Sequence, residues 1–250
     1  MQFLKLRHLR NVGLLAIALL VSLIAATLVS GAPAGGVDFA VLAGGNIPVG
    51  DFGRKTDIVA PIADGTYSAR GGGARSGFGI RVDAEAEVRP GIFVGGELGY
   101  LRNGADASEL QSLEPDLEEI DAAWGIIHVG AFTRMIVYHT PAFDLYLRAG
   151  AGIANVDNHF DATVYVPFAP ARLESSFDLG NHFFVNVGAG GDYRISQRVS
   201  LVAAFGFMDV FTDGARATVS RLGLDLTGTQ EFDIQSLEIM AGVRFSPGPW

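Results

Sequence analysis

The sequence predicts an all-β chain: an eight-stranded antiparallel up-and-down transmembrane β-barrel. Three observations lead there. Apolar and polar residues alternate with period 2 in eight separate stretches, the signature of strands with two unlike faces. The connections between these stretches are alternately short and long, with the long ones all at one end. The face opposite the apolar stripe carries glycine and charge, which suits a narrow lumen better than a wetted surface.

The N-terminus stands apart from this pattern. "MQFLKLRHLR" carries Lys5, Arg7 and Arg10, the run 12–31 has no charge, and Ala32 and Ala34 form an A-x-A site. This predicts a secretory signal peptide over 1–34, cleaved after Ala34, and a barrel domain over 35–250. An uncleaved membrane anchor is the rival reading, because the run is long enough to span a bilayer. The small-residue site favours cleavage. The chain of 250 residues has no cysteine, so disulfides and thiolate metal sites are excluded. Its formal net charge of −9 argues against nucleic-acid binding, and loss of the three basic residues makes the mature chain more acidic.

The strands follow in order. The first is Val37–Ile47, "VDFAVLAGGNI". The second, Gly77–Val88, sets Phe78, Ile80, Val82, Ala84, Ala86 and Val88 on one face and Arg81, Asp83, Glu85 and Glu87 on the other. The third, Ile92–Leu101, carries Gly95, Glu97 and Gly99 on its polar face, and the fourth, Trp124–Val137, carries His128, Gly130 and Arg134. The fifth, Phe143–Ala154, opposes Leu145, Leu147, Ala149, Ala151 and Ile153 to Arg148, Gly150 and Gly152. The sixth, Phe183–Ile195, opposes a stripe from Phe183 to Ile195 to Gly188, Gly190, Asp192 and Arg194. The seventh, Val199–Met208, turns Val199, Leu201, Ala203, Phe205 and Phe207 away from Gly206. The eighth, Gln235–Phe245, opposes Leu237, Ile239, Ala241, Val243 and Phe245 to Glu238, Gly242 and Arg244. Aromatics recur at the ends of the apolar stripes, where an interfacial girdle belongs.

"RPG", "YHTPA" and "SQR" make short turns after the second, fourth and sixth strands. The other connections, Pro48–Ser76, Arg102–Ala123, Asn155–His182 and Asp209–Ile234, are each roughly 20–30 residues, against a median of about 4–6 in compact soluble domains. Such asymmetry describes a membrane barrel. A soluble sandwich would show Thr and Lys outside rather than glycine, and a lipocalin-like barrel would have an apolar lumen.

The charges therefore face inward. Arg81, Asp83, Glu85, Glu87, Glu97, Arg134, Arg148, Asp192, Arg194, Glu238 and Arg244 are expected to form a salt-bridged plug, since charges withdrawn from water need partners. The carboxylates of strand two are expected to answer the arginines of strands four, five, six and eight. A cation-selective channel is the functional alternative, but eight strands leave little bore. His128 reads as a filler rather than a ligand.

Other motifs carry less. "RGGGARSGFG" at 70–79 lacks the Lys-Ser/Thr ending of a phosphate loop and reads as a flexible start to strand two. "DFG" at 51–53 has no kinase companions, and "GAGGDY" at 188–193 has no following helix. The loop acids Asp106, Glu109, Glu114, Asp116, Glu118, Glu119 and Asp121 do not have EF-hand spacing and read as solvated charge. "DNHFD" at 157–161 reads as a polar loop. No H-E-x-x-H and no G-x-S-x-G is present, and none of His128, His139, His159 or His182 has a serine two residues away, so no catalytic residues, metal or cofactors are assigned.

"YLRAGAGIA" at 146–154 and "VNVGAGGDYRISQRVSLVAAFGF" at 185–207 resemble the fifth to seventh strands of the outer-membrane β-barrel family, which includes the OmpA/OmpX-type transmembrane domain and porin-like small barrels. The last strand resembles the C-terminal signal read by the barrel-assembly machinery, with Phe245 or Trp250 as its terminal aromatic; "SPGPW" after Phe245 departs from the usual pattern. The resemblance implies the outer membrane of a Gram-negative-type cell, with its lipids and lipopolysaccharide as surroundings. The role expected is structural, or surface interaction through the long loops, with a narrow pore or transport barrel as the alternative and a lipid-modifying enzyme less favoured.

Overall fold

The structure is a computed structural model that describes residues 36–55, 57–59, 66–106, 117–166, 169–212, 214, 216–221 and 224–246. The proposed signal peptide 1–34 and Trp250 lie outside the described residues. Twelve strands occur among those described: β1 Val37–Val49, β2 Asp57–Val59, β3 Thr66–Arg70, β4 Ala74–Arg89, β5 Ile92–Ala105, β6 Leu117–His139, β7 Phe143–Val166, β8 Ala169–Arg194, β9 Val199–Val210, β10 Arg216–Arg221, β11 Leu224–Gln230 and β12 Ile234–Phe245.

Eight of them close on themselves. β1 pairs with β4, then β5, β6, β7, β8, β9 and β12 follow, each antiparallel to the last, and β12 pairs back to β1 from Val49↔Gln235 to Phe39↔Phe245. Closure leaves no strand edge in the barrel, so every ladder group has a partner where water is absent. The alternation sorts as expected. Phe78 is 54%, Val187 55% and Ile239 54% exposed, while Arg81, Glu97 and Arg148 on the opposite face are buried. An apolar outside and a charged inside is the polarity of a barrel in lipid.

The short turns lie where the sequence places them. Gly91 ends "RPG" with φ 74°, a conformation that favours glycine. The glycines inside the lumen have a different cause. A Cβ on Gly99 would overlap the His128 ring, one on Gly130 would come within 2.8 Å of Phe184 Cζ, and one on Gly190 would overlap Tyr146. These three inward glycines make room for rings carried by other strands.

The long connections depart from expectation. Three of the strands run far past their predicted ends: β6, β7 and β8 have 23, 24 and 26 residues, against 12 for β9 and β12. Most of Asn155–His182 is the continued β7–β8 ladder, paired up to Val166↔Ala169. Asp209–Ile234 contains the β10–β11 hairpin, β10 meets β8 at Val219↔Phe177, and β11 runs parallel to β3. β3 pairs with β2. The connections thus build one sheet, β2-β3-β11-β10-β8-β7-β6, beyond the rim. One wall of the barrel stands about twice as tall as the opposite one.

Candidate functional site

The lumen fills in layers from the short-turn end. At that rim, Arg194 from the end of β8 bonds Asp144 Oδ2 at 2.6 Å and the carbonyls of Thr140 and Pro141 at 3.1 and 3.0 Å. Asp144 also meets His139 Nδ1 at 2.7 Å. Arg194 therefore ties the β6–β7 turn to β8, and it lies apart from the carboxylates of β4. Glu87 is also a rim group, correcting its expected arginine partner. It accepts the backbone N–H of Gly91 at 2.8 Å, closing the β4–β5 turn.

The next layer is a quartet of two arginines and two carboxylates. Arg134 grips Glu85 with two parallel bonds, Nε to Oε2 at 3.0 Å and Nη2 to Oε1 at 2.5 Å, and reaches Asp192 at 3.2 Å. Arg244 contacts the same pair: Glu85, and Asp192 at 3.1 Å through Nε. The Arg134 guanidinium stacks on Phe93 at 4.0 Å. This paired, planar arrangement suits arginine rather than lysine.

Above it, Arg81 and Arg148 hold Asp83, Glu97 and Glu238. Arg148 bonds Glu97 at 2.8 Å and Asp83 at 3.3 Å, and lies 3.9 Å from the Phe132 ring centre. Arg81 approaches Asp83 at 3.2 Å and Glu238 at 3.4 Å. Asn186 donates to Glu97 at 2.6 Å. The bonds Arg81–Glu238 and Glu85–Arg244 join β4 to β12 across β1, which offers Ala40 and Leu42 beneath them. A void of about 20 Å³ beside Arg81, Tyr146, Arg148, Asn186 and Glu238 has room for one water. His128 is buried edge-on to Phe184 at 5.3 Å.

The outer mouth is closed by something the sequence reading did not foresee. Asn46 and Asn103 bond over Gly77 of β4 at 2.7 Å, and around them the interior turns apolar. Leu101, Ile126, Val156, Val210 and Ile234 are wholly buried there. Phe52, from the "DFG" of the first long connection, drops into this layer with 0% exposure. It packs edge-on to Trp124 at 5.6 Å, and Trp124 to Phe232 at 6.1 Å. The glycines 71–73, read as flexible, are instead pinned beneath the rings: Gly72 N–H donates to Asp51 O at 2.9 Å, Gly73 N–H to Arg54 O at 2.8 Å, and Trp124 Nε1 to Gly72 O at 2.9 Å. Thr212 and Gln230 fix Phe232 by bonds of 2.8 and 3.0 Å to its carbonyl.

Sequence reasoning also passed over Asp144 and Asn46, although Asp144 shares the alternation of Tyr146 and Arg148 and could have been found by it. Phe245 ends β12 on the lipid side opposite Phe39 and Val199, 49% exposed. The side chains of Glu118, Glu119, Asp121, His159 and Asp161, and residues 107–116, lie outside the described part.

The family described as "Outer membrane protein beta-barrel domain" matches residues 15–245. No curated protein matches the chain. Among solved structures it is similar to Neisserial surface protein A, at 14% identity over 84% of this chain and 96% of that one, TM-score 0.40. It is also similar to a major outer membrane protein from Thermus thermophilus, at 12% identity over 84% and 99%, TM-score 0.48. A third similarity is to Ail, the attachment invasion locus protein of Yersinia pestis, at 13% identity over 85% and 100%, TM-score 0.37.

Proposed function

The chain belongs to the outer membrane protein β-barrel domain family, and from that premise we infer that it is a closed, non-conducting barrel that acts at the surface through its long connections. The observation that carries this reading is the filled lumen. Two layers of arginine–carboxylate bonds and a separate layer of buried rings lie in series across it. A solvated ion would have to displace all three. The long connections, joined into one sheet with the tall wall, supply the surface for a structural or binding role. The lumen charges are structural in this reading, and no catalytic step, metal or cofactor is assigned. Labelled lipopolysaccharide incubated with the protein keeps its acyl chains; their loss would replace the reading with a lipid enzyme. Export of a Gram-negative-type precursor through residues 1–34 and assembly by the barrel machinery, with Phe245 or Trp250 as its signal, complete the proposal.

Reconstitution in a planar bilayer tests it. The expected trace is flat at moderate voltage. Reproducible stepwise currents from the unmodified protein would overturn the closed lumen in favour of a narrow pore.

A further inference from the structure

The outward face of β5 is apolar until it reaches a cation. Ile92, Val94, Gly96, Leu98 and Tyr100 face lipid, and Arg102 follows them on the same face, exposed and without an ion-pair partner among the described residues. Ten residue steps at roughly 3.3 Å each, tilted by about 40°, climb about 25 Å, the height of the apolar band of such barrels. Arg102 thus stands where hydrocarbon gives way to headgroups at the long-connection end.

Its surroundings are built for an amphiphile. Phe78 lies directly opposite Arg102 on β4, and its ring meets Tyr100 edge-on at 6.2 Å. One step above Arg102 on the same face is Gly104, and a Cβ there would lie 3.8 Å from Cβ of Arg75. The Arg75 side chain is 65% exposed and holds Asp106 at 3.2 Å. The two arginine stems therefore rise from one face within roughly 10 Å of each other, close enough for both guanidinium groups to reach one anion. Guanidinium binds phosphate oxygens in pairs, and a long cationic side chain at this depth extends into the headgroup layer.

We propose that Arg102 and Arg75 bind the phosphate of an outer-leaflet lipid whose acyl chain lies along Phe78, Tyr100 and Ile80. The site rests on the outer-membrane placement of the barrel and not on its closed lumen, so a conducting barrel would leave it intact.

The test uses the refolded protein with a phosphorylated, multiply acylated glycolipid and with the same lipid after enzymatic dephosphorylation, counting retained lipids by native mass spectrometry. The phosphorylated form is retained. Arg102→Gln lowers its retention about tenfold, the loss of one charge-assisted bond, and Arg102→Gln with Arg75→Gln abolishes it. Arg198→Gln, which removes an exposed cation from the opposite rim, changes nothing. A heat-shifted gel band for each variant establishes that it has folded. Equal retention of the dephosphorylated lipid, indifference to Arg102→Gln, or an equal loss with Arg198→Gln would each overturn the site. Inorganic phosphate alone is expected to give no Arg102-dependent heat on titration; binding as tight as the lipid's would assign the arginines to a free anion and overturn the lipid.

Discussion

Glu97 and Glu87 are both carboxylates on inward faces, and their environments separate them. Glu97 has a side chain with 0% exposure and accepts from Arg148 and Asn186. Glu97→Gln leaves Arg148 buried with Asp83 as its remaining close partner, and breaking such a pair costs about 3 kcal/mol. Glu87→Gln keeps an oxygen for the Gly91 N–H and costs under about 1 kcal/mol. Urea unfolding of the two variants in lipid vesicles is expected to show this difference; equal midpoints would remove the distinction between layer and rim. The alternation that turned both groups inward was legible, because a strand repeats every two residues. Which arginine each would meet was not. Arg81 and Glu238 are 157 positions apart, and their meeting depends on the register of β1 against both neighbours.

At the scale of elements, the spans within lipid could be read because one solvent imposes one rule on each face. Past the rim that rule no longer holds, the alternation in the sequence fades, and β6, β7 and β8 continue without a signal. The Phe52 turn escaped for a related reason: a single ring entering from a connection has no periodicity. Its tight fit is nevertheless testable. A Cβ on Gly72 would lie 2.6 Å from Phe52 Cδ2 and 3.0 Å from Phe232 Cε2. Gly72→Ala is expected to push the rings apart and weaken the bond from Trp124 Nε1. In a Trp250→Phe background, the emission of Trp124 should move to longer wavelength as water reaches the indole. An unchanged spectrum would show that the turn is not packed as described.

The whole molecule is a cylinder in which every spanning strand is bonded on both sides. Opening it requires breaking a whole ladder between two neighbouring strands, and extracting a strand requires breaking two, so mild SDS at room temperature is expected to leave it compact. The unheated protein should migrate faster on a gel than the boiled one, and a single band under both conditions would count against a closed barrel.

The bonds that pass over β1 give this closure a further property. β1 and β12 form the seam at which the first and last barrel strands are brought together, and Arg81–Glu238 and Glu85–Arg244 act as a clasp across it. A slip of one residue at the seam would turn Glu238 and Arg244 towards hydrocarbon and leave Arg81 unanswered. Only one register fastens both ends of the clasp, so the barrel proofreads its own final join.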